Sequence, residues 1–247
     1  MITRRHLLAG GAGLMLAGCD RLNDSQTFRE TLRSAEGLTM KAQRLITDRN
    51  ALAREFSAAD LSPVFRSNGN RMPPGDDYRR LAEGHFADWR LRIDGLVQRP
   101  LALSLDRIMG LPRRTQITRH DCVEGWSAIG RWTGVPLSIL LDAAGLRDQA
   151  RFLVFHCMDR FGAWPYYESI DLVDAFHPQT ILAYGLNGQF LPIANGAPLR
   201  LRVERQLGYK HAKYLARIEA VASLTRIHRG SGGYWEDSSD YEWYAGI

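Results

Sequence analysis

The chain has 247 residues, 45% of them hydrophobic, with 32 Lys and Arg against 27 Asp and Glu and three cysteines. That length accommodates one large domain or two small ones around a well-buried core, and one catalytic domain is expected. The net charge of +5 comes from arginines scattered without a basic block, which argues against nucleic-acid binding and fits an anionic small ligand or a membrane surface equally well.

Residues 1–18 read as an export signal: Thr3-Arg4-Arg5-His6 forms a basic start, followed by an apolar run from Leu7 to Ala17. This run is shorter than the roughly 20 residues needed to span a bilayer. The adjacent arginines resemble the twin-arginine signature, and Leu16-Ala17-Gly18-Cys19 resembles a bacterial lipobox whose cysteine is acylated after cleavage. Asp20 after it favours inner-membrane retention. Twin-arginine export carries proteins already folded around a cofactor, so a cofactor is expected. The predicted location is periplasmic, lipid-anchored to the inner membrane. No other segment is apolar enough to span a membrane.

Residues 19–60 are expected to form a helical or linker arm. Between Ser25 and Glu55 the chain is polar and lacks strand-like alternation, with Leu38, Leu45 and Leu52 spaced by seven, which predicts one or two helices. Ser67 to Gly75 is turn-rich and predicts a long loop. A catalytic domain over 61–247 follows. Trp89, Leu91 and Ile93 alternate with Arg90, Arg92 and Asp94, the period of a half-buried strand. Ile117 sits in a strand leading to His120-Asp121-Cys122. Pro136 to Ala144 predicts a short helix stopped by Gly145, and Arg151 to Phe155 a buried strand ending at His156 and Cys157. Asn187-Gly188 between Ile181–Leu186 and Gln189–Ile193 is a hairpin signal. Leu199, Leu201 and Val203 alternate with Arg200, Arg202 and Glu204 in another strand, with Arg202 expected to face water, and Tyr214 to Leu224 holds a further one. Mixed strands with few short helices indicate an α+β fold.

Cys122 and Cys157 each follow a nearby histidine, and with Cys19 lipidated they are the remaining thiols. Three readings follow from the residues alone. Soft thiolates with His120 and His156 suggest zinc, copper or another thiophilic metal, although no Cys-x-x-Cys pair gives a closed zinc pattern. A Cys122–Cys157 disulfide would instead staple a non-catalytic binding module. A single thiolate completing an otherwise non-protein coordination sphere uses fewer residues.

Arg119-His120-Asp121-Cys122-Val123-Glu124-Gly125-Trp126-Ser127, with Trp132-Thr133-Gly134-Val135-Pro136-Leu137 after it, resembles the metal-binding segment of the sulfite oxidase superfamily, in particular that of the periplasmic methionine sulfoxide reductase catalytic subunits. Asn195-Gly196-Ala197-Pro198-Leu199-Arg200-Leu201 and Gly208-Tyr209-Lys210-His211-Ala212-Lys213 resemble the same proteins in order and spacing. The resemblance runs from about Phe65 to the C-terminus. It implies a sulfite oxidase-type molybdopterin-binding fold with mixed sheets and short helices, a molybdenum–molybdopterin cofactor and Cys122 as thiolate ligand to the metal. It implies Glu124 and Tyr241 as catalytic residues, and Asn68, Cys157, Asn195, Arg200 and Lys213 as cofactor contacts. Cys157 stands where the reductases have threonine, and Met158 to Tyr167 is shorter than their corresponding loop. The segment after Cys122 also lacks the arginine of the eukaryotic sulfite oxidases. The implied activity is oxygen-atom transfer, or equivalent two-electron chemistry, on a small-molecule substrate. No Cys-x-x-Cys-His haem signature is present, so electrons are expected from an external membrane cytochrome or quinone-linked partner.

Overall fold

The computed structural model describes residues 25–247. The expected export signal, Cys19 and Asp20 lie outside them. The described residues divide into two units, with the boundary between Asp48 and Arg49. In the first, α1 spans Gln26–Ile46, with the Phe28 backbone N–H donating to the Ser25 hydroxyl and the Thr47 N–H to the Gln43 carbonyl. Proline-free sequence rich in Ala, Gln, Arg and Glu favours this helix, about 30 Å long at ~1.5 Å per residue. The spacing of seven does not define one face of it, because Leu52 lies beyond its end. Among the described residues no helix is long and apolar enough to cross a membrane.

The second unit holds two five-stranded sheets. Residues 49–60, expected in the arm, lie in this unit. There the Phe56 N–H donates to the Ile117 carbonyl, and Gln179 bonds the Ala53 N–H and C=O.

One sheet runs β2 (Leu101–Ser104), β1 (Arg90–Gly95), β10 (Leu215–Val221), β5 (Phe152–Phe161), β6 (Trp164–Asp171), with β1 and β10 parallel and the other pairs antiparallel. Leu91 and Ile93 are buried where the period-two pattern put them. β5 continues past Phe155, so His156 and Cys157 stand within a strand rather than beyond one. The short segment after Cys157 turns at Gly162-Ala163 and pairs Phe161 with Trp164 as a hairpin.

The other sheet runs β3 (Arg114–Asp121), β4 (Ser127–Pro136), β7 (Ile181–Leu186), β8 (Gln189–Phe190), with β9 (Arg200–Arg202) also paired to β7. The β7–β8 hairpin turns on Asn187 and Gly188, both at positive φ, as the Asn-Gly signal requires. Helices α2 (Asp76–Glu83), α3 (Leu105–Met109), α4 (Leu137–Ala144), α5 (Leu172–Ala175) and α6 (Tyr234–Ser239) are short. Pro136 caps α4 rather than entering its first turn. The main core joins Leu91, Leu140, Leu153, Leu199, Leu201 and Ile218, and a smaller cluster surrounds Trp132.

Arg202 does not face water. Its side chain is fully buried, forks onto both carboxylate oxygens of Glu204 at 2.9 and 2.6 Å, and donates to His120 Nδ1 at 2.9 Å. Arg200 and Arg202 both stand against the Trp132 ring, at 5.1 and 4.4 Å from its centroid. The alternation in β9 is real, but its polar face is covered by β3 and β4 instead of solvent. Arg202→Ala would leave Glu204 charged and poorly paired in the interior, so a loss of about 3–5 kcal/mol is expected. Denaturant unfolding of the variant beside the parent measures it, and equal midpoints would contradict a buried pair.

Candidate active site

Cys122 lies at the tip of the β3–β4 hairpin. Its N–H donates to the Trp126 carbonyl at 2.9 Å and its carbonyl accepts from the Gly125 N–H at 3.0 Å, closing the loop 122–126. The Cys122 side chain is buried, and that burial pushes the thiol pKa up while the Glu124 N–H beside it pulls it down. A metal binding there must displace the proton. Glu124 is exposed at the same tip, where its carboxylate accepts from the Trp126 indole at 3.0 Å.

A pocket opens beside this tip. Asn68, Cys122, Glu124, Lys213 and Tyr241, all expected at the site, line it together. Tyr241 stacks on Trp235 at 5.8 Å and meets Tyr209 edge-on at 5.1 Å. Lys213 spends its three N–H donors on the carbonyls of Asn68, Asn70 and Ala194, at 2.7, 2.5 and 3.0 Å. It therefore pins the loop carrying Asn68 to the 193–195 turn. Burial, then nearby Arg200, lowers the Lys213 pKa to about 7.

Asn195, Arg200 and Cys157 do not line this pocket. Asn195 and Arg200 sit directly behind it: Arg200 donates to the Asn195 carbonyl at 3.0 Å and to the His211 carbonyl at 3.2 Å, and His211 lines the pocket. Burial, then Arg202, lowers the Arg200 pKa to about 9, which leaves the guanidinium charged at neutral pH. Cys157 packs against the main core. Both Cys122 and Cys157 are free thiols, so the disulfide reading is overturned. His156 turns to Glu219 at 2.9 Å, and among the described residues no metal-holding group of three or more His, Cys, Asp or Glu forms, which removes the zinc or copper reading of His120, Cys122, His156 and Cys157.

Sequence patterns missed Asn70, Asp159, Phe161 and Tyr166 in the pocket wall. They come from the 67–75 loop and the β5–β6 hairpin, and neither periodicity nor spacing distinguishes them. Tyr209 and His211 lay inside a quoted motif, so their neighbourhood was the available signal.

Residues 80–226 match the family described as oxidoreductase molybdopterin binding domain. The chain belongs to that family. It is a molybdopterin-binding oxidoreductase of the sulfite oxidase type, with the mixed α+β fold of that group. It is 37% identical over 98% of its length to an Azospira oryzae protein named "Putative protein-methionine-sulfoxide reductase subunit YedZ1", spanning 86% of that protein. It is 34% identical over 66% of its length to the protein-methionine-sulfoxide reductase catalytic subunit MsrP of Xanthomonas campestris, spanning 52% of it. The sulfane dehydrogenase SoxCD of Paracoccus pantotrophus shares the fold, with TM-score 0.50 and 24% identity over 56% of this chain and 39% of that one. The family match includes Cys122, Glu124, Cys157, Asn195, Arg200 and Lys213, while Asn68 and Tyr241 fall outside it.

The residues present suit a pterin. Buried polar atoms are normally paired, yet Asn195 Nδ2, Arg200 Nε, His120 Nε2 and His211 Nδ1 have no protein partner. His120 Nδ1 accepts from Arg202, so Nε2 carries its proton, and burial with the adjacent arginines keeps the ring neutral. His211 Nε2 faces the Gln206 carbonyl at 3.0 Å and donates to it, leaving Nδ1 as an acceptor. Three unpartnered donors and one acceptor match an anionic, donor- and acceptor-rich ligand. Gly208 itself has no room for a side chain, since a Cβ there would meet the His120 ring at 2.5 Å and the Asp121 carbonyl at 3.2 Å. Gly208→Ala is expected to displace His120 and the Cys122 hairpin, with an overpacking cost of about 1–3 kcal/mol. Pterin released from purified variant and parent, measured by fluorescence after oxidation, should be lower in the variant.

Proposed function

We propose that the protein is a molybdenum-cofactor oxidoreductase that removes an oxygen atom from a small sulfoxide-type substrate, with Cys122 as thiolate ligand to the metal. The observation that carries this reading is the convergence of Cys122, Glu124, Asn68, Lys213 and Tyr241 on one pocket backed by unpartnered donors. Both curated relatives carry methionine sulfoxide reductase in their names. When bound, the cofactor supplies the two-electron redox chemistry, and the protein supplies position and electrostatics.

In this reading Asn195 and Arg200 donate to the pterin side of the site, and the charged guanidinium offsets the cofactor's negative charge. Lys213 holds the Asn68 loop in register against it. Cys157, with no place in the pocket wall, supports the cofactor's surroundings from β5. Tyr241, braced between Trp235 and Tyr209, orients the substrate. Glu124, exposed at the pocket mouth, exchanges protons with solvent. Electrons come from an external, membrane-linked carrier. The protein works in the periplasm, tethered by a lipidated Cys19 after twin-arginine export, with the arm before the catalytic domain ending at Asp48 rather than at Asp60.

Cys122→Ser is expected to leave a folded protein without turnover, because a hydroxyl poorly replaces a thiolate as ligand to a thiophilic metal. Molybdenum spin resonance, and methionine sulfoxide reduction with reduced viologen dye as donor, test this. A variant spectrum identical to the parent's would refute the ligand assignment. For the anchor, mass spectrometry of the mature N-terminus should find an acylated Cys19, since two or more acyl chains hold a protein stably at a membrane. An unmodified N-terminus beyond Cys19 would refute lipidation and leave the catalytic reading intact.

A further inference from the structure

One buried carboxylate in the pocket wall takes no part in the catalytic reading. Asp159 lies near the end of β5, is 3% exposed and lines the pocket, and its Oδ1 has no protein partner. The local backbone is unusual as well. β5 pairs with β10 as far as Cys157, and its pairing with β6 is irregular between His156 and Arg160. Irregularities of this kind re-aim side chains and are common beside functional sites.

Buried carboxylates are normally paired with a cation, and the others here obey that rule. Glu204 has Arg202, Asp174 has Arg205, and Glu168 and Glu236 share Lys210. Among the described residues Asp159 is the deeply buried carboxylate with no such partner, and it is the one that lines the pocket. Lys213 acts on it electrostatically, but all three Lys213 N–H donors are spent on the carbonyls of Asn68, Asn70 and Ala194. Burial raises the Asp159 pKa to about 6, against Lys213 and the Asn70 side chain, which lower it, so the group is mostly ionised at neutral pH.

The chemistry of the cofactor supplies what Asp159 lacks. The unpartnered atoms of Asn195, Arg200, His120 and His211 are three donors and one neutral acceptor, a set suited to the anionic portion of the cofactor. A pterin also carries an aminopyrimidinone ring, whose exocyclic amine and ring N–H are donors. That edge needs an acceptor, and a carboxylate makes the stronger, charge-assisted form of the bond. Asp159 is unsuited to the phosphate, which it would repel.

We propose that Asp159 is a cofactor-binding residue whose Oδ1 accepts a hydrogen bond from the donor edge of the pterin ring. This rests on the molybdenum-cofactor reading above, but not on the choice of substrate. The family resemblance put the β5 contact at Cys157. That thiol, a weak hydrogen-bond former, packs against the main core, and Asp159 two residues further along β5 carries the polar contact. Binding in this way also gives a buried, unpaired charge its partner.

The test uses Asp159→Asn, which keeps the shape and removes the charge. Full-length parent and variant are purified from a host that makes the molybdenum cofactor, and again from one that cannot. Loss of pterin from the loaded proteins is followed over time by gel filtration and fluorescence after oxidation. The variant should arrive with less pterin and lose it about 10–100-fold faster, the effect of one hydrogen bond to a charged group. The empty variant should unfold at a temperature no lower than the empty parent, because it no longer buries an unpaired charge. Release at the parent's rate overturns the proposal, and a slowed turnover beside it would move Asp159 to the substrate. Faster release with a lowered unfolding temperature of the empty variant also overturns it, since a damaged fold would then account for the lost cofactor. A parent that carries no pterin from the cofactor-making host refutes the molybdenum-cofactor reading instead. A parent with pterin that fails to reduce methionine sulfoxide refutes only the substrate.

Discussion

A guanidinium can enter a protein interior only where acceptors and counter-charge are built to receive it, and the site in this protein depends on two that do so from a three-residue strand. β9 presents Leu201 to the main core and Arg200 and Arg202 to the opposite side, against Trp132. Arg202 is neutralised by Glu204 and sets the tautomer of His120. Arg200 has no carboxylate partner among its hydrogen bonds and spends two donors on backbone carbonyls, which leaves Nε without a protein partner. One arginine thus fixes His120 and Glu204 while its neighbour on the same face ties the 195 turn to His211.

That division explains how segments distant in sequence become one pocket. The β3–β4 hairpin brings Cys122 and Glu124, and His120 at its base is fixed by Arg202. Lys213, just before β10, gathers the 67–75 loop and the 193–195 turn by bonding their carbonyls. The β5–β6 hairpin and α6 supply an aromatic wall in which Phe161 stacks on Tyr234 at 5.0 Å and Trp235 on Tyr241. The wall excludes water from the groups behind it, and exclusion of water is what gives the charges there their strength.

Glu168, Glu236 and Lys210 show the same economy on the other side of the wall. Charges so deep are costly to place, and an isolated core of this size would be more stable with apolar groups there. They stand beside Tyr166, Tyr209 and Trp235 of the pocket wall, and their ion pairs tie the 208–210 turn to β6 and α6.

Local chemistry made several elements legible from the chain itself: the Leu91 and Ile93 alternation of β1, the Asn187-Gly188 hairpin, the α4 segment after Pro136, and the motifs around Cys122 and between Asn195 and Lys213. Each is written in residues close in sequence, where backbone preferences and period-two or helical spacing act directly. The family, too, was readable in those motifs. What the tertiary structure decided lay in long-range contact. Alternation showed that Arg200 and Arg202 share a face, but whether water or a second layer of protein covers that face depends on β3 and β4, some 80 residues away for the His120 contact. The same holds for Cys157, whose strand runs on past it to place Phe161 and Asp159 in the pocket, and for Glu168 and Glu236, which look like ordinary surface carboxylates in sequence. Burial, and with it the protonation and partners of every charged group at the site, is a property of the assembled interior, because desolvation arises only when separate segments close over a group and remove its water.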